Sequence, residues 1–187
     1  MFSTILLKSV AGEFSVRNLN MKNILYFFVT APAWLLVAIF IFPILLSILV
    51  AHFFNSMFIS KALSLCSLWS ILLWLYSIGV LTCEKYNSYL KVPLIRFKIC
   101  IFYNLIYTIL FIFNIIPIEN IYPFHIISII CNFYSLYFVS KLIVMVEKKY
   151  AIKVKDYIGT FVAAWFYLIG IWWIQPRVKK LFLPDDK

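Results

Sequence analysis

Long apolar segments dominate this sequence and confine it to a membrane environment. Residues 24–54 contain no Asp, Glu, Lys or Arg, whereas a helix needs only about 20 apolar residues to cross the hydrocarbon core of a bilayer. Across the whole chain 65% of the residues are hydrophobic and 13% are charged, and this charge is about half of what a soluble domain carries. The sequence therefore predicts an integral membrane protein.

Charged residues divide the chain into the apolar stretches that set the predicted topology. The predicted fold class is all-α: a polytopic transmembrane bundle that forms a single membrane domain over residues 1–187, with residues 1–23 as a cytoplasmic or interfacial N-terminus. Pro43 lies inside the first stretch, where we expect it to kink the helix. The four predicted spans lie at about residues 24–50, 62–82, 99–118 and 124–146.

A fifth apolar stretch, residues 157–174, is close to the lower length limit for a span. With four spans and a cytoplasmic N-terminus, 16 of the 17 Lys and Arg residues lie inside, and only Lys61 lies outside. A fifth span would reduce this distribution to 12 inside against 5 outside. We therefore expect a re-entrant or interfacial segment, with a fifth span as the alternative. Residues 175–187 then form a cytoplasmic tail, which we expect to follow a helix end at Pro176.

Signatures of enzymes are absent from the sequence. There is no H-E-x-x-H or G-x-S-x-G motif, and the chain has only 4 glycines. No carboxylate lies at the centre of a predicted span, where a proton relay or an ion-coupled transporter would need one. The 4 cysteines include no C-x-x-C pair. We therefore expect no enzymatic activity, no cofactor and no metal site.

Uncharged polar side chains recur on the predicted spans. Steps of three and four residues place them on one face of the second and of the fourth helix, and the third helix carries a broader set. These candidate residues are Ser67, Ser70, Trp74 and Ser77, then Asn104, Thr108 and Asn114, and finally His125, Ser128, Asn132 and Ser135.

Two interpretations of these polar stripes are open at the level of sequence. Small and amide side chains hold membrane helices together, each hydrogen bond contributing about 0.6 kcal/mol. Alternatively, the stripes line an aqueous path, because uncharged side chains let water and ions pass without binding them strongly. Four helices in one chain leave little room for a pore, so the second interpretation implies a homo-oligomer.

Basic residues give the chain a net charge of +10 and are concentrated in the segments predicted to be cytoplasmic. Topology and attraction to anionic lipids of the bilayer account for such a distribution. The same surface is dense enough to recruit a cytoplasmic protein partner, whereas we do not expect direct binding of nucleic acid. Its candidate residues are Lys148, Lys149, Lys153, Lys155, Arg177, Lys179 and Lys180.

The tail sequence GIWWIQPR, at residues 170–177, resembles the end of small uncharacterised bacterial membrane proteins. This resemblance implies a multi-pass protein of the bacterial inner membrane, with both termini in the cytoplasm by the charge distribution. In size and architecture the chain is also similar to the membrane accessory proteins of CRISPR and other anti-phage systems.

These features predict a small membrane protein that self-associates and forms or regulates a permeation path, as a stress or anti-phage defence effector. The alternative is a non-conducting membrane adaptor whose basic cytoplasmic face recruits a protein or RNA partner.

Overall fold

The computed structural model describes residues 21–86, 92–148 and 152–183, and no β-strand occurs within them. Most of the predicted N-terminal segment 1–23, Lys149 and the last four residues of the chain lie outside the described residues. Helix α1 covers residues 21–30, and it is followed by α2 (Ala33–Phe54), α3 (Met57–Lys85), α4 (Leu94–Ile112), a 3₁₀ turn (Ile118–Asn120), α5 (Ile121–Lys148), α6 (Val154–Trp165) and α7 (Tyr167–Phe182).

Four of these helices, α2 to α5, are long and apolar enough to cross a membrane. The chain is therefore an all-α, multi-pass membrane protein, which confirms the predicted fold class. Each helix packs against the next along the chain from α2 to α7, and α7 also packs against α2. We call the end where α3 and α5 finish the basic end of the bundle, and the end where α3 and α5 begin the far end.

The hydrophobic core lies in the half of the bundle next to the basic end. The buried residues of α3 all lie from Ser67 onward, and those of α5 all lie from Ser135 onward. In this half α1, α6 and α7 pack around the four long helices. The largest fully buried apolar side chains are Leu36, Phe40, Trp74, Leu75, Ile78, Phe97, Leu142, Ile143, Ile171 and Ile174. The far half is more open, because α1, α6 and α7 do not reach it.

The predicted span 24–50 assumed one continuous helix. The structure instead divides this stretch into two helices, α1 and α2. The chain leaves the helical conformation at Ala31 and Pro32 and starts α2 at Ala33. Pro32 has no backbone N–H, so the Phe28 carbonyl loses the partner that would continue α1. Pro43, by contrast, lies inside α2, and the helix continues beyond it to Phe54.

Two other helix ends differ from the sequence prediction. Helix α4 ends at Ile112, six residues before the predicted end at residue 118, because Asn114 adopts a left-handed conformation with φ of 53°. At the C-terminus, α7 passes through Pro176 and ends at Phe182, so the expected helix end at Pro176 is wrong. Val178, Leu181 and Phe182 lie buried in the bundle, and this packing holds the helix together beyond the proline.

Candidate functional site

The apolar stretch 157–174 folds into a hairpin that enters and leaves the bundle at the basic end. Helix α6 runs antiparallel to α5, with the ring centroids of Tyr157 and Tyr137 5.6 Å apart and those of Trp165 and Phe133 4.3 Å apart. Since Phe133 lies near the middle of α5, α6 extends only about halfway along it. Helix α7 then returns beside α6 to the basic end. The predicted re-entrant or interfacial segment is therefore a helical hairpin, and α5 supplies the neighbouring helix that such a hairpin needs.

The turn at the hairpin tip is formed by Phe166, whose φ of −85° and ψ of 65° interrupt the helix. Its N–H donates to the Val162 carbonyl, and its own carbonyl accepts from the Gly170 N–H at 2.7 Å. The tip residue therefore keeps its backbone groups paired, as the apolar surroundings demand. Gly170 lies so close to α6 that a Cβ atom there would overlap the Ala163 carbonyl oxygen. This close approach requires glycine.

A half-open cavity of about 120 Å³ lies at the hairpin tip, between α3, α4, α5 and the first residue of α7. Most of its lining surface is apolar, and we call it the polar cavity after the polar side chains that meet there. One water molecule needs roughly 10–15 Å³ of such space, so the cavity is large enough for several. The cavity is lined by Leu68, Ile71 and Leu72 of α3, Asn104 and Thr108 of α4, Ser128 and Asn132 of α5, and Tyr167. Four of the polar residues singled out in the sequence thus meet at one site.

The polar side chains of the cavity are joined by hydrogen bonds between different helices. Ser128 Oγ donates to Asn104 Oδ1 at 2.7 Å, which links α5 to α4. The Tyr167 hydroxyl donates to Asn132 Oδ1 at 2.9 Å, which links the hairpin tip to α5. On the α3 side, Trp69 Nε1 donates to Thr108 Oγ1 at 3.0 Å. The bond from Tyr167 fixes the tip of the hairpin against α5, and the other two bonds join the long helices to one another.

Asn104 leaves one polar atom of this network without a partner. The residue is only 4% exposed, and its Nδ2 forms no hydrogen bond among the described residues. A buried, unpaired N–H donor costs roughly 1–3 kcal/mol, so such groups are rare unless water or a ligand occupies the site. Because Asn104 lines the cavity, its free N–H groups match an occupant that accepts hydrogen bonds, such as water.

A polar ladder continues from the cavity toward the far end along α4 and α5. The Tyr107 hydroxyl and His125 Nδ1 lie 2.6 Å apart, with His125 exposed and Tyr107 buried. His125 and Asn132 are seven residues apart on α5, so the ladder spans about 10 Å. The ladder consists of three separate hydrogen-bonded pairs, which follow one another from the exposed far half of α5 to the hairpin tip: Tyr107 with His125, Asn104 with Ser128, and Asn132 with Tyr167.

The remaining residues of the predicted stripes do not line this cavity. Ser67 donates to the Phe40 carbonyl of α2, and Trp74 donates to Gln175 of α7. Ser70, Ser77 and Ser135 each donate to the carbonyl four residues earlier in their own helix. Asn114 lies in the turn that ends α4. The α3 stripe therefore makes packing contacts, whereas most of the α4 and α5 stripes form the cavity and its ladder.

Two residues of the predicted basic surface are paired with acids beside the hairpin. Lys148 Nζ lies 2.6 Å from Asp156 Oδ1, and Arg177 Nε donates to Glu147 Oε1 at 2.7 Å. Arg177 also donates to Thr160 Oγ1 at 2.8 Å, so this side chain joins α5, α6 and α7. The other described members of the surface form no ion pair with any described residue; they are Lys153, Lys155, Lys179 and Lys180.

Asp156 anchors the base of the hairpin in its ionised form. Its carboxylate accepts from the Lys148 ammonium group and from the backbone N–H of Lys153 at 2.7 Å. The hydrogen bond from Lys148 is the larger of these effects, and together they lower the pKa of Asp156 below its ordinary value of 3.8. The hairpin base is therefore stabilised by this carboxylate at neutral pH.

Sequence reasoning missed Tyr167 and Gln175, because each lies in a segment whose neighbours in space come from distant parts of the chain. In the sequence each of them is only a single polar side chain within or beside an apolar run, and this pattern alone does not indicate a site. Within the described residues no group of three or more His, Cys, Asp or Glu side chains could hold a metal ion. The chain matches no protein-family model, no curated protein and no solved structure.

Proposed function

We propose that this protein forms or regulates a permeation path across the membrane, with the α6–α7 hairpin as the barrier in that path. The observation that carries the proposal is the polar cavity at the hairpin tip, with the unpaired Nδ2 of Asn104 beside it. Uncharged polar groups at this depth in an apolar bundle offer hydrogen bonds to water and small polar solutes.

The asymmetry of the bundle supports the same proposal. In the far half, the ladder from His125 to Asn132 leads from an exposed position to the cavity. In the half next to the basic end, Trp74, Phe97 and Ile143 are among the buried side chains that fill the interior. A path along the ladder therefore ends at the hairpin tip, and movement of the hairpin or association with further copies would have to complete it.

As parts of this proposal, several copies associate, both termini face the cytoplasm of a bacterial cell, and the protein acts without enzymatic activity. Much of the surface of α2 and α4 is exposed and apolar, which suits contact with lipid and with further copies. The similarity in architecture to anti-phage accessory proteins suggests a stress or defence setting for the permeation.

The test is flux through liposomes that contain the purified full-length protein, combined with the mass of the detergent-solubilised particle. We expect a discrete multimer, and a flux of water or small ions that is well above that of protein-free liposomes. Asn132→Leu should reduce the flux at least severalfold, because it removes a polar group from the cavity. Ser135→Ala is the matched control, since Ser135 is buried on the same helix but bonds only to its own helix. Monomeric protein in tight liposomes would refute the proposal.

A second candidate function is the membrane adaptor, favoured by the four lysines of the basic surface that form no ion pair with described residues. Changing Lys153, Lys155, Lys179 and Lys180 to Glu should abolish recruitment of an acidic protein partner if the adaptor hypothesis is correct. The same change should leave the flux through liposomes largely intact if the permeation proposal is correct, because none of these residues lines the cavity.

A further inference from the structure

A groove lies between α3 and α4, and it adjoins the polar cavity, because Leu72 lines both. Its volume is about 560 Å³. Leu72 and Ile101 line it and are buried, whereas Ile99, Phe102 and Ile106 line it and are exposed on α4. Because both helices are candidate membrane spans, this groove opens toward the hydrocarbon region of the bilayer.

Lys98 is the only charged residue among those that line the groove. It lies one turn after the start of α4 at Leu94, so it is close to the basic end. A lysine at this depth extends its long side chain to the headgroup level while its methylene groups cover apolar surface. The groove therefore has a cationic end at the headgroup level and an apolar remainder.

The charge of Lys98 is not neutralised within the described part of the chain. The acids near the basic end are paired elsewhere: Glu84 with Lys22, Glu147 with Arg177 and Asp156 with Lys148. Lys98 itself forms no ion pair with any described residue. The Lys98 ammonium group is thus open to pairing with an anionic group from outside the described chain.

We propose that the groove binds an anionic phospholipid, with one acyl chain between α3 and α4 and the headgroup phosphate at Lys98. Along α4, Lys98 and Ile106 are eight residues apart, so the apolar part of the groove extends about 12 Å into the bilayer. Besides Lys98, the groove is lined by two tyrosines, Tyr76 and Tyr103, and the Tyr103 hydroxyl donates to the Phe124 carbonyl. Basic pockets between membrane helices on the cytoplasmic side bind anionic headgroups by the same chemistry.

The test uses the purified full-length protein in mild detergent, titrated with phosphatidylglycerol or with phosphatidylcholine and observed by native mass spectrometry. We expect one phosphatidylglycerol molecule to bind about fivefold more tightly than phosphatidylcholine, since a lysine near a membrane surface contributes about 1 kcal/mol toward anionic lipid. Lys98→Gln should remove this preference, and Lys98→Arg should restore it. Lys180→Gln, which removes a charge at the same end but outside the groove, should have little effect.

Two further measurements separate a lipid site from a simple anion site and from diffuse attraction. Soluble glycerol 3-phosphate should not compete, because it has no acyl chain; equal competition would overturn the proposal. Leu73→Trp, which adds bulk at the half-exposed rim of the groove, should weaken the binding of both lipids. The proposal is also wrong if Lys98→Gln and Lys180→Gln lower phosphatidylglycerol binding equally, or if the wild-type protein shows no headgroup preference.

Discussion

The indole Nε1 of Trp74 donates a hydrogen bond of 2.9 Å to the side-chain oxygen of Gln175, 101 residues later in the chain. Trp74 is 1% exposed and Gln175 is not exposed at all. The amide nitrogen of Gln175 in turn lies 3.1, 3.2 and 2.8 Å from the carbonyl oxygens of Phe28, Val29 and Ala31. These carbonyls lie in the last turn of α1 and in Ala31, just before Pro32 ends the helix, so one side chain of α7 caps α1 and holds α3.

Loss of Gln175 should therefore destabilise the protein strongly. Gln175→Leu removes the acceptor of Trp74 and the donor to the α1 carbonyls, and each buried group without a partner costs roughly 1–3 kcal/mol. Trp74→Phe should lower the free energy of unfolding by less than Gln175→Leu does. The double variant should be more stable than the sum of the two single effects predicts, with a coupling energy between the two sites of roughly 1 kcal/mol or more. Thermal unfolding in detergent measures all three variants.

Trp172→Phe is the matched control for this cycle, because Trp172 is exposed and its indole forms no hydrogen bond with described residues. We expect a change of less than about 0.5 kcal/mol for it. If Trp74→Phe and Gln175→Leu change the free energy of unfolding in a strictly additive way, the hydrogen bond between Trp74 and Gln175 is contradicted.

Gly170 and Gly159 offer a matched pair for the packing of the hairpin. A Cβ atom at Gly170 would overlap the Ala163 carbonyl oxygen, whereas one at Gly159 would lie 3.7 Å from the Trp173 ring, which is an ordinary contact. Gly170→Ala should therefore separate α6 from α7 and lower the melting temperature by several degrees. Gly159→Ala should be neutral or slightly stabilising, because alanine favours a helix interior by up to about 1 kcal/mol over glycine. Equal melting temperatures for the two variants would show that the hairpin is packed differently.

The architecture could be predicted from the sequence because it depends on local composition. Apolar runs bounded by charge indicated the four long helices, and the position of the lysines and arginines favoured a hairpin over a fifth span. Phe166 itself gave no signal, since an aromatic residue has no preference for a turn. The sharp reversal there is accompanied by the close contact between Gly170 and Ala163, two residues that are neighbours only in the folded chain.

The candidate site could be predicted only in part. The spacing on α4 and α5 placed Asn104, Ser128 and Asn132 on suitable faces, and they do meet at the cavity. The same spacing on α3 gave residues that bond elsewhere, because helical periodicity fixes a face but not the neighbour that the face meets. Tyr167 joins the site only through the re-entrant fold, which no local pattern encodes.

The base of the hairpin should respond to acid through Asp156. Its pKa is lowered in the folded protein, so the carboxylate stabilises the fold above its ordinary pKa of 3.8, and this contribution is lost as the pH falls through the lower pKa of the folded state. Asp156→Asn should therefore lower the melting temperature at pH 7, and the difference from the wild-type protein should shrink as the pH falls below that lower pKa. Glu119→Gln, at the far end, should show no such difference. If the difference in melting temperature between Asp156→Asn and the wild-type protein persists at low pH, the ion pair with Lys148 is not its cause.

Asn104 allows stability and permeation to be separated. Asn104→Leu removes a buried N–H donor that has no partner, and Ser128 can turn its hydroxyl to a carbonyl of its own helix. The variant should therefore be as stable as the wild-type protein or more stable, because leucine fills part of the cavity without an unpaired polar group. If the cavity belongs to a permeation path, the same variant should nevertheless conduct severalfold less in liposomes. Lower stability together with unchanged flux would assign Asn104 to helix packing and remove the cavity from the path.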